Sequence, residues 1–330
     1  MSEIAAELGL SRNTVSAVIN GASSKRYVSA ETERRVREHL AQRGFVPSRA
    51  ARHLRSSPKR VIGLLHLGSL YSHLVEAFHL LSESLTGMAP GLEIMVTPRE
   101  QLESALHELL SRRVTDLVWL NNPSSGECYR EDQVLNYLGN TRTIVYNHFF
   151  NAWPGDEDLL KRGIALVGVD RTAQHRRMAR FLRDLGHKVI ALPSVDLSAQ
   201  AYVDAFTSRG LVVAECPSPF EPAKLVHAMK EQGVTAACFK GDREACQAIS
   251  ALRELGVRIP EDLTVTGFDG MSLTYSQDLT TLVMPVQEMV AKVCELVADP
   301  KQELRHCFDM ELAKGKTHGP PARRGKVMKL

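Results

Sequence analysis

No apolar run in this 330-residue chain approaches the roughly 18 residues needed to cross a bilayer. Met1-Ser2-Glu3 does not open the basic and then apolar segment of an export signal. The chain is therefore expected in the cytoplasm, with no membrane partner. Cysteine is sparse and scattered: Cys128, Cys216, Cys238, Cys246, Cys294 and Cys307 form no Cys-x-x-Cys pair and have no histidine at a metal-ligand spacing. That argues against a disulfide framework and a metal site, and for reduced, structural thiols. The devices of catalysis are missing too. There is no Gly-x-Gly-x-x-Gly after a strand, no His-Glu-x-x-His and no Gly-x-Ser-x-Gly. Gly315-Lys316-Thr317 looks like the end of a phosphate loop, but Met310 stands where that loop needs glycine and His-Gly-Pro-Pro follows where a helix should begin. An enzyme has no constellation to rest on, and no cofactor is expected.

What is present is an ordinary soluble composition, 44% apolar and 24% charged, long enough for two or three domains. Charge is unevenly spread. Residues 1–60 hold 12 Lys and Arg against 5 Asp and Glu, a balance of +7; with 41 against 38 in all, the other 270 hold 29 against 33, a balance of −4. A basic head on a mildly acidic body suits a module that docks a polyanion. Within the head, ETERRVRE at 31–38 alternates sign and reads as a solvated helix that packs through Val36 and Leu40.

Residues 2–21 read SEIAAELGLSRNTVSAVING. Ile4, Ala5 and Leu8 share one helical face, Gly9 stops that helix, Ser11 stands at an N-cap, and Val15, Val18 and Ile19 give a second inward face. The spacing predicts two short helices across a tight turn. The second turns Arg12, Asn13, Thr14 and Ser16 outward, side chains suited to base edges and phosphates rather than to a core. It reads as a helix-turn-helix.

Three ordered strings, SRNTVSAVIN at 11–20, VSAETERRV at 28–36 and GFVPSRAARHLR at 44–55, resemble the DNA-binding head and hinge of the lactose-repressor (LacI/GalR) family of bacterial transcription regulators. The resemblance implies base contacts from Arg12 and Asn13 in the major groove and phosphate contacts from Ser11, Thr14, Ser16, Asn20, Lys25, Arg26 and Arg49. Ala17 stands where relatives often carry a third base-reading arginine. The loop from Gly21 to Val28 is a few residues longer than expected of the family, and the chain begins unusually close to its first helix. Pro47 opens a segment too short to hold a helix alone in water. In the family it folds on DNA as a pair, and by resemblance Leu54 is the wedge in the minor groove.

From Val61 on, apolar strands alternate with helices in two successive series, the second beginning at Ile164. That pattern predicts parallel, doubly wound sheets. The fold class is thus an all-α helix-turn-helix head plus an α/β body of two lobes. The expected domains are a head at 1–46, a hinge helix and linker at 47–58, and a body at 60–330. Lobe 1 would take 60–163 and 286–312, and lobe 2 would take 164–285 and the tail. VGVD at 167–170, LGHKVIAL at 185–192, LRELGVRIPEDLTVTGFDG at 252–270, DLTTLVMP at 278–285 and GKTHGPP at 315–321 match the family's effector-binding core, which is similar to periplasmic sugar-binding proteins. Ligands of open α/β sheets sit at the carboxyl ends of strands. That rule and the resemblance select Tyr71, His73, Asn147, Ser198, Phe239, Asp242, Asp269 and Met284. His73 could equally be a surface residue of the next helix, Asp242 only a helix cap, Asp269 a turn or cap residue, and Met284 plain core. Ser198 stands where relatives hold sugar hydroxyls with an arginine, and Met284 where they often have glutamine.

These features imply a dimeric, sequence-specific transcriptional repressor on a near-palindromic double-stranded operator. Its partners would be that DNA, a second copy, and a small-molecule effector in the interlobe cleft. The effector would be a sugar or sugar-like metabolite or, given the replacements, something less polar. A constitutive regulator, or a small-molecule receptor that has lost operator selectivity, is the alternative.

Overall fold

Why the first helix stops at residue 8 is visible in its backbone: Gly9 takes φ +63°, the left-handed conformation that glycine adopts without strain, and Leu10 N–H bonds back to the Ala5 carbonyl. The computed structural model describes residues 2–19, 28–43, 60–68, 73–89, 91–120, 134, 137–138, 141–151, 155–193, 200–214, 220–270 and 278–322. The chain divides into two units, 1–59 and 60–330. In the first, α1 (Ser2–Leu8), α2 (Arg12–Ile19) and α3 (Ala30–Gln42) enclose Ile4, Ala5, Val15, Val18, Val36 and Leu40. So small a core needs help from its surface. Glu7 of α1 supplies some by pairing with His39 and Arg43 of α3.

The second unit is built on two six-stranded sheets. The strands of the first are β1 (Val61–Leu67), β2 (Gly91–Thr97), β3 (Asp116–Leu120), β4 (Arg142–Phe149), β5 (Ala165–Val169) and β11 (Arg305–Phe308), in spatial order β11-β5-β4-β3-β1-β2. Those of the second are β6 (Val189–Ala191), β7 (Val212–Ala214), β8 (Ala236–Cys238), β9 (Thr264–Asp269), β10 (Thr280–Val283) and β12 (Glu311–Ala313), in order β12-β10-β9-β8-β6-β7. Every pairing is parallel except β10 with β12. Continuous burial along β1, β3 and β5 is what a parallel strand covered on both faces requires.

Lobe 1 is covered by α4 (His73–Met88) and α11 (Val286–Ala298) on one face, and by α5 (Leu102–Ser111) and α6 (Asp156–Lys161) on the other. Lobe 2 is covered by α7 (Arg171–Asp184) and α8 (Gln200–Thr207), and by α9 (Pro222–Glu231) and α10 (Asp242–Glu254). One apolar cluster runs through the inner faces of both lobes, from Ile62 and Leu64 to Phe268 and Leu282.

The expected lobe boundaries need correction. The strand at 165–169 is expected in lobe 2, but β5 pairs with β4 and β11 in the sheet of lobe 1. At the other end, β12 starts at Glu311 and joins lobe 2, so lobe 1 does not keep 309–312. The chain therefore changes lobe at 169–171, 283–286 and 308–311. Local alternation of strand and helix cannot reveal this, because sheet membership is decided by a partner far away in sequence. The tail is tied into the sheet of lobe 2: Thr317 Oγ1 donates to the Val265 carbonyl at 2.7 Å and accepts from Thr280 N–H at 2.9 Å.

Candidate functional site

The outward face of α2 is set by its cap. Ser11 Oγ accepts from Thr14 N–H at 3.0 Å, which starts the helix and fixes its rotation. With Val15 and Val18 turned inward, Arg12 and Asn13 are exposed, and Thr14 and Ser16 are half-buried. Ala17 is buried, so this position offers no side chain to an outside partner. On α3 the predicted solvated face is present as ion pairs: Arg34 with Glu31 and Glu38, and Arg37 with Glu33. Asn20, Lys25, Arg26, Arg49 and Leu54, with the hinge at 47–58, lie outside the described residues.

The second candidate site is where the strand ends of the two lobes meet. Asn147 breaks the β4–β5 register between Tyr146 and His148 and takes φ +63°. Gly168, in VGVD, is required there, since a Cβ on it would lie 1.8 Å from the His148 carbonyl oxygen. The bulge turns Asn147 toward α4, and its Oδ1 is 3.3 Å from His73 Nε2. His73 is the first residue of α4 and is 8% exposed, so it is not a surface residue of that helix. Its Nδ1 lies 3.6 Å from Oδ1 of Asp269, across the cleft in lobe 2. Asp269 takes φ +102°, a conformation a non-glycine residue holds only when its surroundings impose it. Burial, and then the charge of Arg171, push the His73 pKa down to about 4, so the imidazole is neutral at pH 7.

Other expected residues are not brought to this place. Phe239 packs edge-on against Phe220 in the outer core of lobe 2. Met284 is core, 4% exposed. Asp242 does not cap α10, because Gly241 holds the N-cap position. Instead Asp242 is buried and its Oδ1 accepts from Thr281 Oγ1 at 2.5 Å; a Cβ on Gly267 would collide with that oxygen at 2.2 Å. Tyr71 and Ser198 lie outside the described residues.

Sequence reasoning missed the group at the centre of the cleft. Arg171 begins α7 at the first crossover, and its Cζ lies over the rings of Phe149 at 4.7 Å and Phe268 at 4.4 Å. Asp170 beside it caps α7, accepting from Ala173 N–H at 2.9 Å, and accepts from Asn151 Nδ2 of lobe 1 at 2.7 Å. Behind Arg171, buried His175 packs on Phe268 and Tyr202, and burial holds its pKa well below the ordinary histidine value. No group of three or more His, Cys, Asp or Glu suited to a metal occurs among the described residues.

Residues 1–48 match the model for bacterial regulatory proteins of the lacI family, and residues 162–306 match that for the periplasmic binding protein-like domain. The chain is 26% identical to the HTH-type transcriptional repressor PurR of Pasteurella multocida, over 94% of this chain and 95% of that protein. Among solved structures, the lac repressor dimer bound to operator and the anti-inducer ONPF gives a TM-score of 0.66 at 20% identity, covering 96% of this chain and 98% of that one. The LacI family regulator CCPA from Weissella paramesenteroides with bound glucose gives 0.62 at 18% identity, covering 79% and 99%.

Proposed function

The chain belongs to the lacI family of bacterial transcription regulators, and from that premise we propose that it represses transcription as a homodimer on a near-palindromic operator, under the control of a small molecule in its interlobe cleft. The observation that carries this is the capped α2, which buries Val15 and Val18 and leaves Arg12 and Asn13 exposed as a reading face. Arg12 is suited to donate to guanine and Asn13 to pair with adenine. Ser11, Thr14 and Ser16, with Asn20, Lys25, Arg26 and Arg49, would meet phosphates, and Leu54 would wedge the minor groove.

Repression agrees with the name of the Pasteurella relative, and a ligand between the lobes agrees with the glucose and anti-inducer named for the two solved structures. No helix among the described residues is long and apolar enough to cross a membrane, which suits a cytoplasmic regulator. The role needs no enzymatic step. Footprinting on the DNA upstream of its own coding sequence, at fixed salt, tests the reading. A symmetric protected site is expected. Arg12→Ala and Asn13→Ala should each weaken it about tenfold to a hundredfold, the worth of one bidentate base contact. Unpatterned protection that neither variant alters would reject the reading.

A further inference from the structure

The reader unit ends at Lys59 and the body begins at Arg60, so the chain that tethers the reader leaves the body at this residue. The strand backbone takes hold one residue later. Val61 N–H donates to Thr115 Oγ1 at 3.2 Å, and the Val61 carbonyl accepts from Thr115 N–H at 2.8 Å. Arg60 precedes β1 and is held through its side chain. Its Nε donates to Asp116 Oδ2 at 2.8 Å and its Nη2 to Asp116 Oδ1 at 3.0 Å, while the same Nη2 donates to the Val297 carbonyl. A planar fork engaged on two sides leaves its stem little freedom.

Both partners of that fork are themselves fixed. Asp116, 4% exposed, opens β3 and also accepts from Thr115 Oγ1 at 2.8 Å. Val297 lies in the last turn of α11, which buries Val286, Met289, Val290, Val293, Leu296 and Val297 in the inner core. This helix begins directly after β10 of lobe 2, at a crossing between the lobes. The origin of the tether is thus tied to a helix that starts where the lobes join. Arg142 supplies a comparison within the same cluster. Its Nε lies 3.0 Å from Asp116 Oδ1 and its Nη2 donates to the Leu296 and Val297 carbonyls, but it stands on β4, far along the chain from the tether.

We propose that Arg60 is a positioning residue for operator recognition: it fixes the point from which each reader is tethered, and so sets which separation of half-sites a dimer accepts. The inference rests on the regulator reading. Half-sites moved apart by one base pair are displaced by about 3.4 Å and turned by about 35°. Freeing residue 60 lengthens each tether by one residue, at most about 3.6 Å. In a two-fold dimer both tethers lengthen, enough together to span about two base pairs. The hold on Arg60 therefore has the size needed to tell adjacent spacings apart.

The test is band-shift titration of the full chain at about 0.15 M salt. The duplexes are the footprinted upstream site, versions with one central base pair added or removed, a half-site and a shuffled sequence. Wild type should lose at least about tenfold in affinity when the spacing changes, because the two readers no longer engage together. Arg60→Met keeps the apolar stem without the fork; it should cut that loss to about threefold or less, with half-site affinity within about twofold of wild type. Arg142→Met also leaves Asp116 a single guanidinium and removes donors from the end of α11, so a purely structural role would move both variants alike. It should keep the wild-type loss. Arg60→Lys keeps the charge without the bidentate geometry; it should fall between wild type and Arg60→Met, and it serves if the methionine variant does not fold. An undiminished loss in the Arg60 variants overturns the proposal, as does relaxation by Arg142→Met as large as that by Arg60→Met. A wild type that prefers the upstream duplex to the shuffled one yet tolerates every spacing retires this inference alone. A wild type with no such preference retires the regulator reading, and this inference with it.

Discussion

The folded chain holds His73 as a neutral imidazole, and that has a consequence for acid stability. Burial and the charge of Arg171 lower its pKa from 6.5 to about 4, against the hydrogen bond it donates to Asn147 Oδ1 and the charge of Glu76, with Asp269 facing it from lobe 2. Between those values the unfolded chain binds the proton and the folded chain does not, so stability falls as pH drops from 6.5 toward 4. From pH 7 to pH 5 this group should cost about 2 kcal/mol. Urea titrations at both pH values should show the wild type losing about that much more than His73→Asn; equal losses would remove histidine desolvation from the account. At this scale the head was legible because Gly9 and Ser11 act on residues within five positions of themselves. Phe239 and Asp242 were misplaced because the ends of strands and helices carry both cleft-facing and core-facing side chains, and local sequence does not say which is which. Arg171 did leave a signal: an arginine in the first turn of a helix stands at the wrong end of the helix dipole, an arrangement that calls for a reason.

Elements are joined where the body begins. Asp116 at the start of β3 accepts from Arg60 Nε at 2.8 Å and lies 3.0 Å from Arg142 Nε at the start of β4, while both arginines donate to carbonyls at the C-terminal end of α11. Those carbonyls have no partners within the helix, so the knot caps α11 and ties three strand starts to it. Burial alone would raise the Asp116 carboxyl pKa, but hydrogen bonds from Arg60 and Thr115 and the charge of Arg142 outweigh burial and hold it below the ordinary range. Its share of stability is therefore present above the unfolded carboxyl pKa and lost as pH falls through the folded value. Asp116→Ala should cost about 3 kcal/mol by leaving two partly buried guanidiniums uncompensated. Chemical denaturation at neutral pH measures this, and a loss below about 0.5 kcal/mol would make the knot ornamental. The sequence marked most strands and helices but not these joints, nor short edge strands such as β7 and β11 with their exposed positions. Three or four residues give too little periodicity to see.

For the whole molecule, the division of charge follows the division of fold: residues 1–59 hold 11 Lys and Arg against 5 Asp and Glu, a balance of +6, and include the helical reader, and the two-lobed body at 60–330 holds 30 against 33, a balance of −3. Charge alone predicts binding to any duplex, with an affinity that falls steeply with salt. The exposed edge of α2 predicts discrimination on top of it. The most direct measurement is therefore a competition at about 0.15 M salt, a physiological level, between the footprinted upstream duplex and a shuffled duplex of equal length and composition for the full-length chain. The account predicts a preference of at least about a thousandfold for the upstream duplex. Equal affinity for the two would contradict it.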